Sequence, residues 1–235
     1  MRCCSERREE RAPMYFEDRY SRRIFISRVL MIVAINLLMT TLILTFCVFH
    51  MGARKFLLKH WYIGLVGIVI ILIFSFLMCC CSFLFRSSPC KYILLVIYVL
   101  AHACVVCSAG VRYQPKLVFI AVASCAAIVV LLFLFARFAP CDFTGCWIFV
   151  FVLSLVVMIM GIVAIFFPTI RIVYASLGVL LFCVYIVIDI QLIIGGRTHK
   201  NQFDESDYVL AAMMLYSDIV FLFLFLLDLI GLIDA

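Results

Sequence analysis

The chain is built from long apolar stretches separated by short polar interruptions. Seven stretches stand out, at about residues 26–48, 62–85, 91–111, 116–137, 147–167, 172–195 and 208–233. Each approaches the roughly 20 apolar residues that let an α-helix cross a bilayer. A helix pairs its backbone groups within itself, as the hydrocarbon interior requires. The interruptions are short, so consecutive helices are expected to lie antiparallel in one bundle. The pattern predicts an all-α integral membrane fold: a basic N-terminal segment over 1–25 and a seven-helix transmembrane domain over 26–235. The polar start is long and charged and the first apolar stretch is of full spanning length, so that stretch is expected to act as an uncleaved anchor.

Composition strengthens this reading. Of 235 residues, 68% are hydrophobic and 14% charged, against about half and about a quarter in soluble domains. No room is left for a second soluble domain. No phosphate-binding G-x-x-x-x-G-K-[ST] pattern or nucleophile–base arrangement appears, so neither an enzyme nor a bound cofactor is expected. The net charge of +6 has a topological pattern. Arg2, Arg7, Arg8, Arg11, Arg19, Arg22, Arg23, Arg28, Arg86, Lys91, Arg137, Arg197 and Lys200 would share one side of the membrane. Only Arg54, Lys55, Lys59, Arg112, Lys116 and Arg171 would lie on the other. Basic residues near helix ends favour the cytosol, so the N-terminus is expected there. The same basic segment could meet anionic lipid. No nucleic-acid-binding signature accompanies the charge, and no such partner is expected.

Two residues break the apolar pattern. Asp189 lies near the end of the sixth stretch and Asp218 about ten residues into the seventh. A carboxylate at mid-membrane costs about 2.5–3.5 kcal/mol on insertion scales, and such residues commonly mark ion paths or proton relays. At about 1.5 Å per residue, the hairpin between the two helices puts the carboxyls at depths matching within one or two turns. Two carboxylates brought together in a low dielectric cannot both ionise freely; they share a proton and titrate as a pair. A half-protonated pair would close a path, and full ionisation would free oxygens that suit Ca²⁺. Two carboxylates are too few for a tight site, so transient contact with a passing ion is the expected metal chemistry. The alternative is two structural aspartates bonded to backbone or to neighbours such as Tyr185, Gln191, Tyr216 and Ser217.

Three further polar residues carry open readings. Asp207 falls nearly on the helix face of Asp218 and would also suit a helix start. Asp228 continues a loose acidic stripe or sits at the far interface. His102, in the middle of the third stretch, could couple a titration to the aspartates or pack as a neutral ring. Most of the thirteen cysteines lie inside apolar stretches and read as small hydrophobes. Cys79, Cys80 and Cys81 point in different directions from a regular helix, and Cys104–x–x–Cys107 has no second pair, so zinc is not expected. Cys3 and Cys4, beside basic residues, are candidates for palmitoylation.

At these residues the chain resembles a known family. Tyr185-Ile186-Val187-Ile188-Asp189-Ile190-Gln191-Leu192 with Gly195-Gly196, and Asp207-Tyr208-Val209 leading to Leu215-Tyr216-Ser217-Asp218-Ile219, resemble signatures of the transmembrane Bax-inhibitor motif family, lifeguard branch. Phe25-Ile26-Ser27-Arg28-Val29, Cys79-Cys80 with Arg86 and Pro89, and Asp142-Phe143-Thr144 with Cys146 are similar to three further motifs. The resemblance covers nearly the whole chain from about residue 16. It implies a seven-helix bundle with the last helix surrounded by the others. It also implies a pH-sensitive Ca²⁺ leak across endoplasmic reticulum, Golgi or endolysosomal membranes and restraint of apoptosis. Asp189 and Asp218 match the family's paired pore aspartates. Ile188, Ile190, Asn36, His102 and Met214 depart from its polar or aromatic pattern. A non-conducting regulator that binds membrane proteins of apoptosis or stress pathways is the competing expectation.

Overall fold

The computed structural model describes residues 19–80, 85, 89–138, 143–195 and 205–234. Among them are eight α-helices: α1 (Arg19–Phe49), α2 (Met51–Lys59), α3 (Tyr62–Cys80), α4 (Cys90–Gly110), α5 (Pro115–Phe138), α6 (Trp147–Phe166), α7 (Arg171–Ile194) and α8 (Tyr208–Ile233). Six of them, α1 and α4 to α8, are long and apolar enough to cross a membrane. α2 and α3 pass the same test only when taken together, bent by 73° at the break between them, which would bring the number to seven. The chain is a multi-pass membrane protein.

Two differences from the expected pattern concern the first spans. α1 begins at Arg19, seven residues before its apolar stretch, so its first two turns carry Arg22, Arg23 and Tyr20. The interruption after it is not a plain loop. Met51–Lys59 forms its own helix, started by the His50 ring, which accepts from the Ala53 N–H at 3.2 Å. Three basic residues and an apolar Phe56-Leu57-Leu58 run suit a short helix lying along an interface rather than through it.

The other boundaries follow local chemistry. Gly195 ends α7 at φ 92°, a left-handed conformation that favours glycine, and its N–H bonds the Gln191 carbonyl at 2.9 Å. Pro168 opens a 3-10 turn after α6 and separates it from α7. The expectations on Cys3, Cys4, Arg86, Asp142, Gly196, Arg197 and Lys200 fall outside the described residues.

α8 is the core of the bundle. It packs against α1, α4, α5 and α7, and 67% of its spanning window is buried, against 11% for α6 and 17% for α5. Large side chains on the outer helices, such as Leu72, Leu131 and Ile165, face outward, where lipid rather than water would cover them. The tightest seam is α7 on α8. A Cβ on Gly178 would stand 2.2 Å from the Phe225 ring, so only glycine admits that aromatic there.

Candidate functional site

α7 and α8 bring Asp189 and Asp218 together. Their carboxyl groups are electrostatic neighbours. Asp189 is buried, with 8% of its surface exposed, while Asp218 keeps partial exposure. The Oδ2 of Asp189 is buried without a hydrogen-bond partner. The phenols Tyr98 and Tyr185 are titratable neighbours of both aspartates.

Of the four side chains named as possible partners of these carboxylates, Tyr216 and Ser217 have their hydroxyls bonded elsewhere and Gln191 has its acceptor oxygen in use. Gln191 Oε1 accepts from the Phe143 N–H at 2.8 Å, tying α7 to the 3-10 turn that precedes α6. Tyr216 shares a 2.7 Å hydrogen bond with Thr40 of α1. Tyr185 reaches Ser154 on α6. Ser217 lies between Tyr98 and His102 of α4, with its Oγ 3.3 Å from His102 Nε2. The Tyr216, Ser217 and Gln191 bonds fasten neighbouring segments to α7 or α8.

His102 is 1% exposed and forms the link between α4 and α8. Its Nδ1 is 3.0 Å from the Tyr98 carbonyl. A carbonyl only accepts, so Nδ1 carries the proton, and in the neutral ring Nε2 accepts from the Ser217 hydroxyl. Tyr98, Tyr216 and Phe221 pack edge-on around the imidazole at ring separations of 4.3, 5.3 and 5.8 Å. His102 thus touches Ser217, the residue next to Asp218, and Tyr98, a neighbour of both aspartates.

The other acidic candidates lie apart from the pair. Asp207 is buried at the start of α8. Asp228 sits near the end of α8. Its Oδ1 accepts from the Tyr113 hydroxyl at 3.0 Å and from Arg171 at 2.5 Å, and its Oδ2 accepts from Arg171 Nε at 3.3 Å. Arg54 of α2 holds the adjoining turn through the carbonyls of Val111 and Tyr113. Burial first, and then the Asp228 charge, push the Tyr113 phenol up to about 12. Asp228 is therefore a fastening between helix ends, with a compensating cation. The Arg171 and Tyr113 contacts were not foreseen from sequence. A basic residue and a tyrosine at the two helix junctions flanking the end of α8 were the available signal.

No group of three or more His, Cys, Asp or Glu side chains capable of holding a metal occurs among the described residues. Two carboxylates supply fewer oxygens than the six to eight or so that Ca²⁺ prefers.

Comparison with known proteins agrees with these features. Residues 22–234 match the family described as "Inhibitor of apoptosis-promoting Bax1". The chain is 32% identical to Protein lifeguard 3 of Mus musculus and 29% identical to Protein lifeguard 3 of Homo sapiens, in each case over 95% of the chain and 75% of the relative. It is 30% identical to Protein LIFEGUARD 2 of Arabidopsis thaliana over 95% of the chain and 93% of that protein. A buried α7–α8 aspartate pair inside a bundle centred on α8, and a match running through every span, place the chain in the Bax-inhibitor family, in its lifeguard branch.

Proposed function

We propose that this protein is a pH-sensitive Ca²⁺ leak pathway of an intracellular membrane, gated by Asp189 and Asp218, and that it contributes to Ca²⁺ homeostasis and to restraint of apoptosis. The observation that carries the reading is the unsatisfied pair: two adjoining carboxyls, with a buried Asp189 oxygen lacking any hydrogen-bond partner, while the Tyr216 and Ser217 hydroxyls next to Asp218 are bonded to something else. A purely structural aspartate would be expected to spend its oxygens on such donors. One proton shared between the carboxyls joins α7 to α8. Loss of that proton sets two negative charges against each other, loosens the seam and offers oxygens to a cation. Low pH therefore closes the path and higher pH opens it. The descriptions and names of the relatives support the apoptotic part of the reading. The endoplasmic reticulum, Golgi or endolysosomal membrane is the compartment proposed, with the N-terminus cytosolic.

The test is flux in liposomes containing the purified protein and a Ca²⁺ indicator, followed from pH 5 to 8. Flux is expected to rise with pH in the wild type. Asp218→Asn cannot share an acidic proton with Asp189, so its flux is expected to lose pH dependence. A variant with unaltered flux and pH profile would refute the gate.

A second reading has its own support. Tyr98, His102, Tyr216 and Phe221 fill the space beside the pair with packed rings, which favours a non-conducting regulator acting through apoptosis or stress-pathway membrane proteins. Wild-type liposomes with no Ca²⁺ entry at any pH would select it.

A further inference from the structure

Away from the aspartates, two cations converge on one tyrosine at the end of the bundle where α4 and α8 begin. Lys91 is the second residue of α4 and Tyr208 the first of α8. The Lys91 Nζ stands 4.4 Å from the centre of the Tyr208 ring and 5.3 Å from that of Tyr92. Arg28 of α1 reaches the same Tyr208 ring, its Cζ 5.7 Å from the centre. The Tyr92 and Tyr208 hydroxyls share a 2.7 Å hydrogen bond. In the sequence Arg28 and Lys91 counted only toward orientation; the packing of three helices gathers them.

Lys91 is only 8% exposed. A cation so deeply buried is ordinarily paired with an anion. Among the described residues neither Lys91 nor Arg28 forms an ion pair; the carboxylate that does is Asp228, with Arg171. Asp207, beside Tyr208, is itself buried and engaged. The backbone adds to the positive field. Neither Pro89 at the start of α4 nor Asp207 at the start of α8 makes a side-chain capping bond, so the positive ends of both helices stand uncapped beside the two cations.

We infer that this cluster binds the phosphate of an anionic lipid headgroup, with Lys91 as the buried anchor and the exposed Arg28 as the second contact. The level is that of the headgroups: both helices enter the membrane here, and tyrosines are common at that depth. Basic pockets between spans suit lipid phosphates on the cytosolic side, which is the side proposed for this end. Charge selects the class of lipid. The Tyr92 and Tyr208 rings could otherwise take a choline ammonium, but they already meet Lys91 and Arg28. A zwitterionic headgroup would set a third cation among them; a headgroup of net negative charge would not. The bound lipid ties the start of α8 to α1 and α4, and this holds whether or not the aspartates conduct.

The experiment is native mass spectrometry of the full chain in detergent, titrated with phosphatidylserine or with phosphatidylcholine. Phosphatidylserine is expected to be retained in preference to phosphatidylcholine. Lys91→Gln and Arg28→Gln should each weaken that binding about fivefold, the attraction of roughly one interfacial cation. Lys55→Gln, on α2, should leave it unchanged. Millimolar inorganic phosphate should not displace the lipid. Equal retention of the two lipids by the wild type, unchanged affinity in either variant, or equal weakening by Lys55→Gln would each overturn the site. Displacement by inorganic phosphate would overturn the lipid and make a free anion the ligand. Arg28 is exposed, so its variant decides the matter if Lys91→Gln fails to fold.

Discussion

Asp218 and Asp228 are the same residue on the same helix, about 15 Å apart at 1.5 Å per residue, and they live in opposite circumstances. Asp228 faces Arg171 and the Tyr113 hydroxyl, so its charge is matched and its oxygens are used. Asp218 faces another carboxyl. An acid in a membrane helix therefore has no fixed meaning; the side chains that α7 and the preceding turns bring to it decide whether its charge is matched or opposed. The fastened site spans three parts of the chain that are far apart in sequence. The unsatisfied one lies on a single helical hairpin, where a change of charge acts directly on the α7–α8 seam.

The most severe way to break the contrast is to part that seam. Gly178 lies on α7 between Arg171 and Asp189, under the Phe225 ring. Gly178→Val places methyl groups where that ring sits, and overpacking of this kind costs about 1–3 kcal/mol. A lower unfolding temperature in detergent is expected, together with loss of pH-dependent flux. Near wild-type stability and flux would mean that the seam does not hold the two sites in register.

A smaller effect is expected from His102→Ala. It removes a buried ring and leaves the Ser217 hydroxyl without its imidazole partner; an unsatisfied buried group costs about 1–3 kcal/mol. Thermal stability should fall, while Ca²⁺ flux should keep the direction of its pH response because His102 is bonded to Ser217 and packed on Tyr98 rather than bonded to either carboxyl. Loss of the response with stability intact would make the histidine the sensor.

The sequence revealed the spans through their apolar length and the aspartate pair through hairpin depth, both properties of neighbouring segments. It did not reveal what surrounds the pair. Thr40, His102, Ser154 and Phe143 come from four other parts of the chain, and their engagement depends on the rotational phase of packed helices, which apolar length does not encode. α2 escaped for a different reason. Its nine residues are too short and too basic to span, so a search for membrane-length runs passes over it, although His50 before Arg54, Lys55 and Lys59 marks a capped interfacial helix. Asp228 was left between two readings because its partners Arg171 and Tyr113 sit at helix junctions where basic and aromatic residues are common.

At the fastened site, Asp228→Asn should matter little to stability. The Arg171 side chain is 49% exposed, and ion pairs of that exposure contribute about 0–1 kcal/mol. The unfolding temperature is expected to move by a few degrees at most, and flux should keep its pH response. A collapse of flux would move Asp228 from the fastening into the path.

The smallest change expected is in Tyr113 itself. Its phenol is pushed up to about 12, with burial the larger cause and Asp228 the next. The neutral hydroxyl donates to Asp228, so folding favours the protonated form. The sign follows: that contribution is fully present below the ordinary tyrosine value near 10, and is lost as pH rises through about 12. Difference absorbance between wild type and Tyr113→Phe isolates this one phenolate from the other tyrosines. In Asp228→Asn the midpoint should fall yet stay above about 10, because burial remains. A fall all the way to the ordinary value would show that the carboxylate, and not burial, holds the proton on Tyr113. The fastened end of α8 would then be governed by charge as fully as the aspartate pair is, and the contrast between the two sites would reduce to the sign of the partner.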